Sequence, residues 1–112
     1  MIEKIDKPWG YEVIWAKTEQ YVGKILHINV GQKLSLQYHV KKIETVYVNE
    51  GVLELHLIDK VITLHKGQTF HVEPNMIHRF ACPDYAEYVE LVEVSTPELD
   101  DVVRLQDEYG RA

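Results

Sequence analysis

Gln37, His39, Glu44 and His78 are the residues whose types and spacing suit a divalent cation. Three of them fall in one stretch, Gly31 to Gly51 (GQKLSLQYHVKKIETVYVNEG). With strand periodicity, alternate side chains share a face: Leu34, Leu36 and Tyr38 take one side, and Lys33, Ser35, Gln37 and His39 the other. The polar side ends in an amide and an imidazole, with the Glu44 carboxylate soon after, and all three have lone pairs to donate. The fourth donor comes from Gly67 to Phe80 (GQTFHVEPNMIHRF), where a Pro74-Asn75 turn precedes His78 and fixes the angle of its imidazole. Two imidazoles, a carboxylate and an amide oxygen make a mixed nitrogen–oxygen set. It predicts one divalent metal per chain, zinc first, with manganese, iron or nickel as alternatives. Taken alone, either stretch reads more simply as a solvated strand face with a stray histidine. The two together favour a centre.

Holding four such groups at one point requires a scaffold of strands. Tyr11 to Trp15 alternates, with Tyr11, Val13 and Trp15 against Glu12 and Ile14, and Tyr21 to Val30 places Leu26, Ile28 and Val30 on one face. Gly51 separates TVYVNE from VLELHLI as an expected hairpin, and Asp59-Lys60 and Lys66-Gly67 mark further turns. MIHRFAC and AEYVELVEV complete about eight strands. The pattern changes after Ser95-Thr96-Pro97, where LDDVVRLQDEYGR predicts one short C-terminal helix capped by Thr96 with Pro97 in its first turn. Many short strands between turn signals indicate an all-β, antiparallel jelly-roll sandwich or barrel, whose inward alternate residues can line a pocket.

The composition is that of one ordinary globular domain spanning residues 1–112, with 46% hydrophobic and 27% charged residues. No apolar run approaches the roughly 20 residues of a membrane helix, so no membrane partner is expected. The net charge of −6 with scattered Lys and Arg argues against a nucleic-acid partner. Cys82 is the single cysteine, which rules out an intrachain disulfide and, with no signal-peptide profile at the start, points to a cytoplasmic location. It reads as a small buried apolar residue. A homodimer is expected from the exposed edges of a jelly roll of this size.

The Gly31–Gly51 stretch resembles the first cupin motif: Gly31, Gln37, His39, Glu44 and Gly51 fit its spacing, with Gln37 where many cupins have histidine. Gly67 and His78 resemble the second motif, with Asn75 in place of the usual glycine. A narrower resemblance covers nearly the whole chain. KPWGYE, LSLQYH and EVSTPELDDVVRLQDEYGR look like the cupin domain of type II mannose-6-phosphate isomerases, which in bacteria often follows a mannose-1-phosphate guanylyltransferase. That resemblance implies a metal-dependent aldose–ketose isomerase acting on a sugar phosphate. The family typically reads His-His-x-Arg-x-Glu-His-Trp where this chain has His39, Val40, Lys42, Glu44, Thr45 and Val46. A non-catalytic sugar-binding or sensor cupin is the alternative, and an iron-dependent dioxygenase a more distant one.

Isomerisation requires a base that reaches a carbon-bound proton and groups that hold a phosphate. Lys33, Glu93 and His71 are the catalytic candidates, with Glu73 and Glu87 behind them. Lys33 is the best-placed cation by alternation, while Lys42, standing for the family arginine, and Arg104, in a tail able to fold over the barrel mouth, are further substrate-binding candidates. Arg79 should face away from the metal. His27, His56 and His65 lack partners at ligand spacing and read as structural or exposed. Trp9, Trp15, Tyr11 and Tyr38 read as core or dimer-interface residues.

Overall fold

The computed structural model describes residues 2–111, and they form eleven strands. These are β1 (Glu3–Lys7), β2 (Gly10–Lys17), β3 (Val22–Asn29), β4 (Leu36–Tyr38), β5 (Glu44–Glu50), β6 (Val52–Leu57), β7 (Val61–His65), β8 (Thr69–Val72), β9 (His78–Ala81), β10 (Tyr88–Ser95) and β11 (Val103–Gln106). They pair antiparallel in two sheets, a six-stranded one in the order β1-β2-β3-β10-β5-β8 and a five-stranded one in the order β11-β4-β9-β6-β7. The inner faces close on an apolar core in which Ile28, Val46, Val48, Leu53, Leu55, Val72, Val89 and Leu91 are fully buried. Each such side chain contributes about 1.5–3 kcal/mol on leaving water. The all-β, two-sheet architecture is the one the turn spacing predicts.

Strand β10 shows how pattern becomes position. Its sequence YVELVEVS buries Val89, Leu91, Glu93 and Ser95 and turns Tyr88, Glu90, Val92 and Val94 outward. The inward apolar residues fill the core. The inward Glu93, toward the far end of the strand, enters a polar cavity instead, while the buried Ser95 hydroxyl donates to the Thr96 carbonyl at 2.9 Å.

The predicted C-terminal helix is not formed; none of the described residues is helical. Residues 103–106 instead make β11, which pairs with β4 so that Arg104 stands opposite Gln37. The β-branched pair Val102-Val103 suits a strand, and Thr96, the predicted cap, is used elsewhere. Thr96 Oγ1 accepts a hydrogen bond from the Ile43 amide, and the Asp101 carboxylate accepts from the amides of Val40, Lys41 and Lys42. Nor is Gly51 the tip of a hairpin. It is a corner between sheets, since β5 lies in the six-stranded sheet and β6 in the other. Its φ of +83° and the 2.3 Å from an added Cβ to the Tyr88 carbonyl oxygen leave room only for glycine. Val30, expected on one strand face with Leu26 and Ile28, lies in the turn after β3 and is exposed.

Candidate metal centre

Three of the four expected ligands meet. One ligand atom each from His39, Glu44 and His78 lies within 4.8 Å of the others, and all three residues are buried. His78 Nε2 is 3.4 Å and His39 Nε2 3.7 Å from the same oxygen, Oε1 of Glu44. Gln37 stands directly opposite His78 in the β4–β9 pair, so the two side chains share the inner face. Its Nε2 donates to Ser35 Oγ at 2.9 Å, which leaves the amide oxygen as the atom with lone pairs to offer. These residues line a cavity of about 500 Å³ between the sheets.

Local structure fixes the angle of each ring. His78 Nδ1 donates to the Met76 carbonyl at 2.9 Å, across the turn where Asn75 takes φ +67°. The Asn75 amide in turn donates to the His39 carbonyl at 2.6 Å and ties the two ligand segments together. His39 Nδ1 donates to the Asp101 carbonyl at 2.6 Å. With both Nδ1 atoms protonated, both Nε2 atoms carry lone pairs, and they converge on a carboxylate oxygen. His39 Nε2 is buried and makes no hydrogen bond among the described residues. Three electron-rich atoms turned toward one point repel one another unless a positive charge lies between them. Nδ1 fixed by a carbonyl with Nε2 left bare is also the way a metal-ligating histidine is held. The residues present therefore fit a cation.

A buried charge network extends from this cluster. Lys42 Nζ lies 3.0 Å from Glu44 Oε2 and 3.3 Å from Glu93 Oε2. Burial works against the Lys42 charge, but Glu93 and Glu44 outweigh it and hold the ammonium well above its ordinary value. Burial also opposes ionisation of Glu44; a proton or cation shared with the His39 and His78 rings, together with Lys42, overrules it and keeps that carboxyl well below the usual range. Glu93 goes the other way, pushed up to about 6 by burial and by the Glu44 charge, against the pull of Lys42 and Lys24. Lys24 stands opposite Glu93 in the β3–β10 pair, and its Nζ is 3.4 Å from Glu12 Oε2. Charges thus alternate along Glu12, Lys24, Glu93, Lys42 and Glu44.

Glu12 and Lys24 were not among the sequence candidates. The signal for Glu12 lay in β2, where alternation pairs it with Ile14 on the buried face while Trp15 points out, 41% exposed, over Gly23.

The structure separates the remaining candidates. Glu93, Lys42 and Arg104 line the cavity; Lys33 and His71 do not. Lys33 bridges Ala81 whereas Gln37 pairs with His78, so the chain gains one residue between the two pairs. That extra residue is a bulge, and a one-residue slip turns a side chain to the opposite face. Lys33 consequently points outward with Arg79, and its ammonium lies 3.4 Å from Glu108. His71 is on the outer face of β8, bonded to Thr45 Oγ1 and paired with Glu73 at 2.9 Å, because Phe70 and Val72 take the inner face. Glu87 is exposed. Arg79 faces away from the centre and donates to the carbonyls of Leu34 and Gln106.

His27 stacks between Tyr11 and Tyr88, His56 pairs with Glu54 at 2.7 Å, and His65 is exposed. Trp9 and Cys82 are core residues, and burial pushes the Cys82 thiol up.

Comparison with known proteins fits this arrangement. The profile of the family described as "Mannose-6-phosphate isomerase C-terminal" matches residues 1–107. The chain is 30% identical over 105 residues to a mannose-1-phosphate guanylyltransferase of Sinorhizobium fredii, covering 91% of this chain and 20% of that protein. It is 31% identical over 115 residues to the mannose-1-phosphate guanylyltransferase ManC of Salmonella typhimurium, covering 99% and 24%. The chain thus spans about a fifth to a quarter of the length of these relatives. Among solved structures, an RmlC-like cupin from Shewanella frigidimarina superposes with a TM-score of 0.74 at 18% identity, over 87% of this chain and 85% of that one. At that identity the likeness shows the cupin fold.

Proposed function

The chain belongs to the mannose-6-phosphate isomerase C-terminal family, and from that premise we propose that it is a metal-dependent aldose–ketose isomerase acting on a sugar phosphate, mannose 6-phosphate first. One observation carries the reading: two Nε2 lone pairs and a carboxylate converge in a cavity that also holds Glu93 and Arg104. His39, Glu44, His78 and the Gln37 amide oxygen would hold the metal, zinc first, then manganese, iron or nickel. When bound, the metal supplies Lewis-acid stabilisation of charge developing on a sugar oxygen.

The protein's own groups supply the rest. Glu93, with its carboxyl pushed up to about 6, is poised to take a proton from one carbon and return it to the next. Lys42 compensates the charge on Glu93 and Glu44, and because its ammonium is committed to both it is a poor phosphate ligand. Arg104, beside Gln37 on the cavity wall, is better placed for a phosphate. The protein would act as a homodimer.

The test is to strip the protein of metal and reload it separately with zinc, manganese, iron and nickel. Each form is then incubated with mannose 6-phosphate and assayed for fructose 6-phosphate. Turnover that disappears in Glu93→Gln, with the metal retained, is the expected result. No product with any of the four metals overturns the isomerase reading. In that case thermal stabilisation by the sugar phosphate without turnover selects a sugar-binding cupin, a reading favoured by the locking of Lys42 between two carboxylates.

A further inference from the structure

Asp101 touches the centre twice, through different atoms. Its backbone carbonyl accepts the Nδ1 proton of His39 at 2.6 Å. Its carboxylate accepts from the amides of Val40 at 3.0 Å, Lys41 at 2.7 Å and Lys42 at 2.9 Å. The first contact sets the tautomer and tilt of a ligand ring. The second pins the backbone that connects that ring to Lys42, whose ammonium bonds to Glu44 and approaches Glu93. Residues 39–43 have no strand ladder of their own, as β4 ends at Tyr38 and β5 begins at Glu44. Without Asp101 the amides of Val40, Lys41 and Lys42 would lose their acceptor, and the segment between His39 and Glu44 would be held only at its ends, by Asn75 at the His39 carbonyl and by Thr96 at Ile43.

We infer that Asp101 is a positioning residue for the metal centre, its carboxylate clamping residues 40–42 while its carbonyl holds His39 with Nε2 toward the cation. The inference rests on the reading of His39, Glu44 and His78 as ligands. A carboxylate is required because all three partners are donors. The isosteric amide would turn an NH2 group toward at least one of them. The same logic explains why the segment from Pro97 to Val102 is an irregular strap across the site rather than a helix.

The experiment compares wild type, Asp101→Asn, Asp59→Asn in the distant β6–β7 turn, and Leu91→Ala, a core variant that lowers stability without touching the strap. Zinc affinity is measured by competition with a chelating dye, and amide exchange is measured on the zinc-free proteins. Asp101→Asn is expected to weaken zinc binding by about 10–100-fold, as outer-shell partners of metal ligands do. It should also speed exchange at Val40, Lys41 and Lys42 while β9 and β10 stay protected. Asp59→Asn and Leu91→Ala should keep wild-type zinc affinity. Wild-type affinity together with wild-type protection of residues 40–42 in Asp101→Asn would overturn the clamp.

If the variant does not fold, nitrogen NMR of His39 in the wild type decides: Nδ1 protonated supports the clamp, Nδ1 bare overturns it. If wild-type protein binds no zinc, manganese, iron or nickel, the metal reading fails. Exchange at 40–42 and the His39 tautomer then judge the clamp by themselves.

Discussion

The Nε2 atom of His39 lies 3.7 Å from Oε1 of Glu44, buried and with no hydrogen-bond partner among the described residues. Two acceptors at that separation, both shielded from water, are stable only with a positive charge between them, a proton or a metal. This relationship sets the first expectation. Chelation should lower the melting temperature, and one equivalent of zinc should restore it. At a free metal concentration about 100-fold over Kd, the gain is about 2.7 kcal/mol. Acidification should weaken the effect, because protons and the cation compete for the same lone pairs. A melting temperature indifferent to chelator and to added metal would count against the centre.

Lys42 is sandwiched between Glu44 and Glu93 at 3.0 and 3.3 Å. Lys42→Met removes the compensating charge and leaves two carboxylates buried together. It should cost about 3–5 kcal/mol in urea unfolding with chelator present. Adding Glu93→Gln to that variant should recover part of the loss. If the two substitutions prove additive, the coupling is absent.

Glu93 makes stability pH-dependent in an unusual direction. Its folded value of about 6 lies above the ordinary 4.5, so the folded protein binds the proton more tightly than the unfolded chain does. Its stabilising effect is complete below pH 4.5 and is lost as the pH rises through about 6, for a change of about 2 kcal/mol. Asp101, held down by the amides of residues 40–42, and Asp107, held down by Arg111, both lie near 2 and act oppositely. Their contribution is present above 3.8 and disappears as the pH falls toward 2. Unfolding curves between pH 4.5 and 6.5, with Glu93→Gln as the comparison, isolate the first window. The Gln variant should show a shallower fall, and parallel curves would refute the assignment.

Gly51→Ala tests the corner between the sheets. At φ +83°, with an added Cβ 2.3 Å from the Tyr88 carbonyl oxygen, alanine must displace β10 from the corner. A loss of about 1–3 kcal/mol is expected by chemical denaturation. Unchanged stability would mean that the corner tolerates a side chain.

By itself the sequence determined the two-sheet, all-β class and the residues that are candidates to hold a metal. Alternation along β5 and β10 and the turn residues Asn75 and Gly51 are local properties, written in the order of residues and readable from it. His39, Glu44 and His78 were legible because their spacing and their donor chemistry agree. Tertiary structure alone decided which polar side chains turn inward. The extra residue between the Lys33–Ala81 and Gln37–His78 pairs flips Lys33 outward, and a bulge is visible only once the partner strand is in place. The fate of residues 97–106 was decided the same way. Thr96 and Pro97 suit a helix start, but amides at residues 40–43, distant in sequence, claimed Thr96 and Asp101, and β4 offered a free edge to β11. Local propensity amounts to a few tenths of a kcal/mol per residue. Satisfying unpaired amides around a buried charge cluster is worth more, and it depends on contacts that no local pattern encodes.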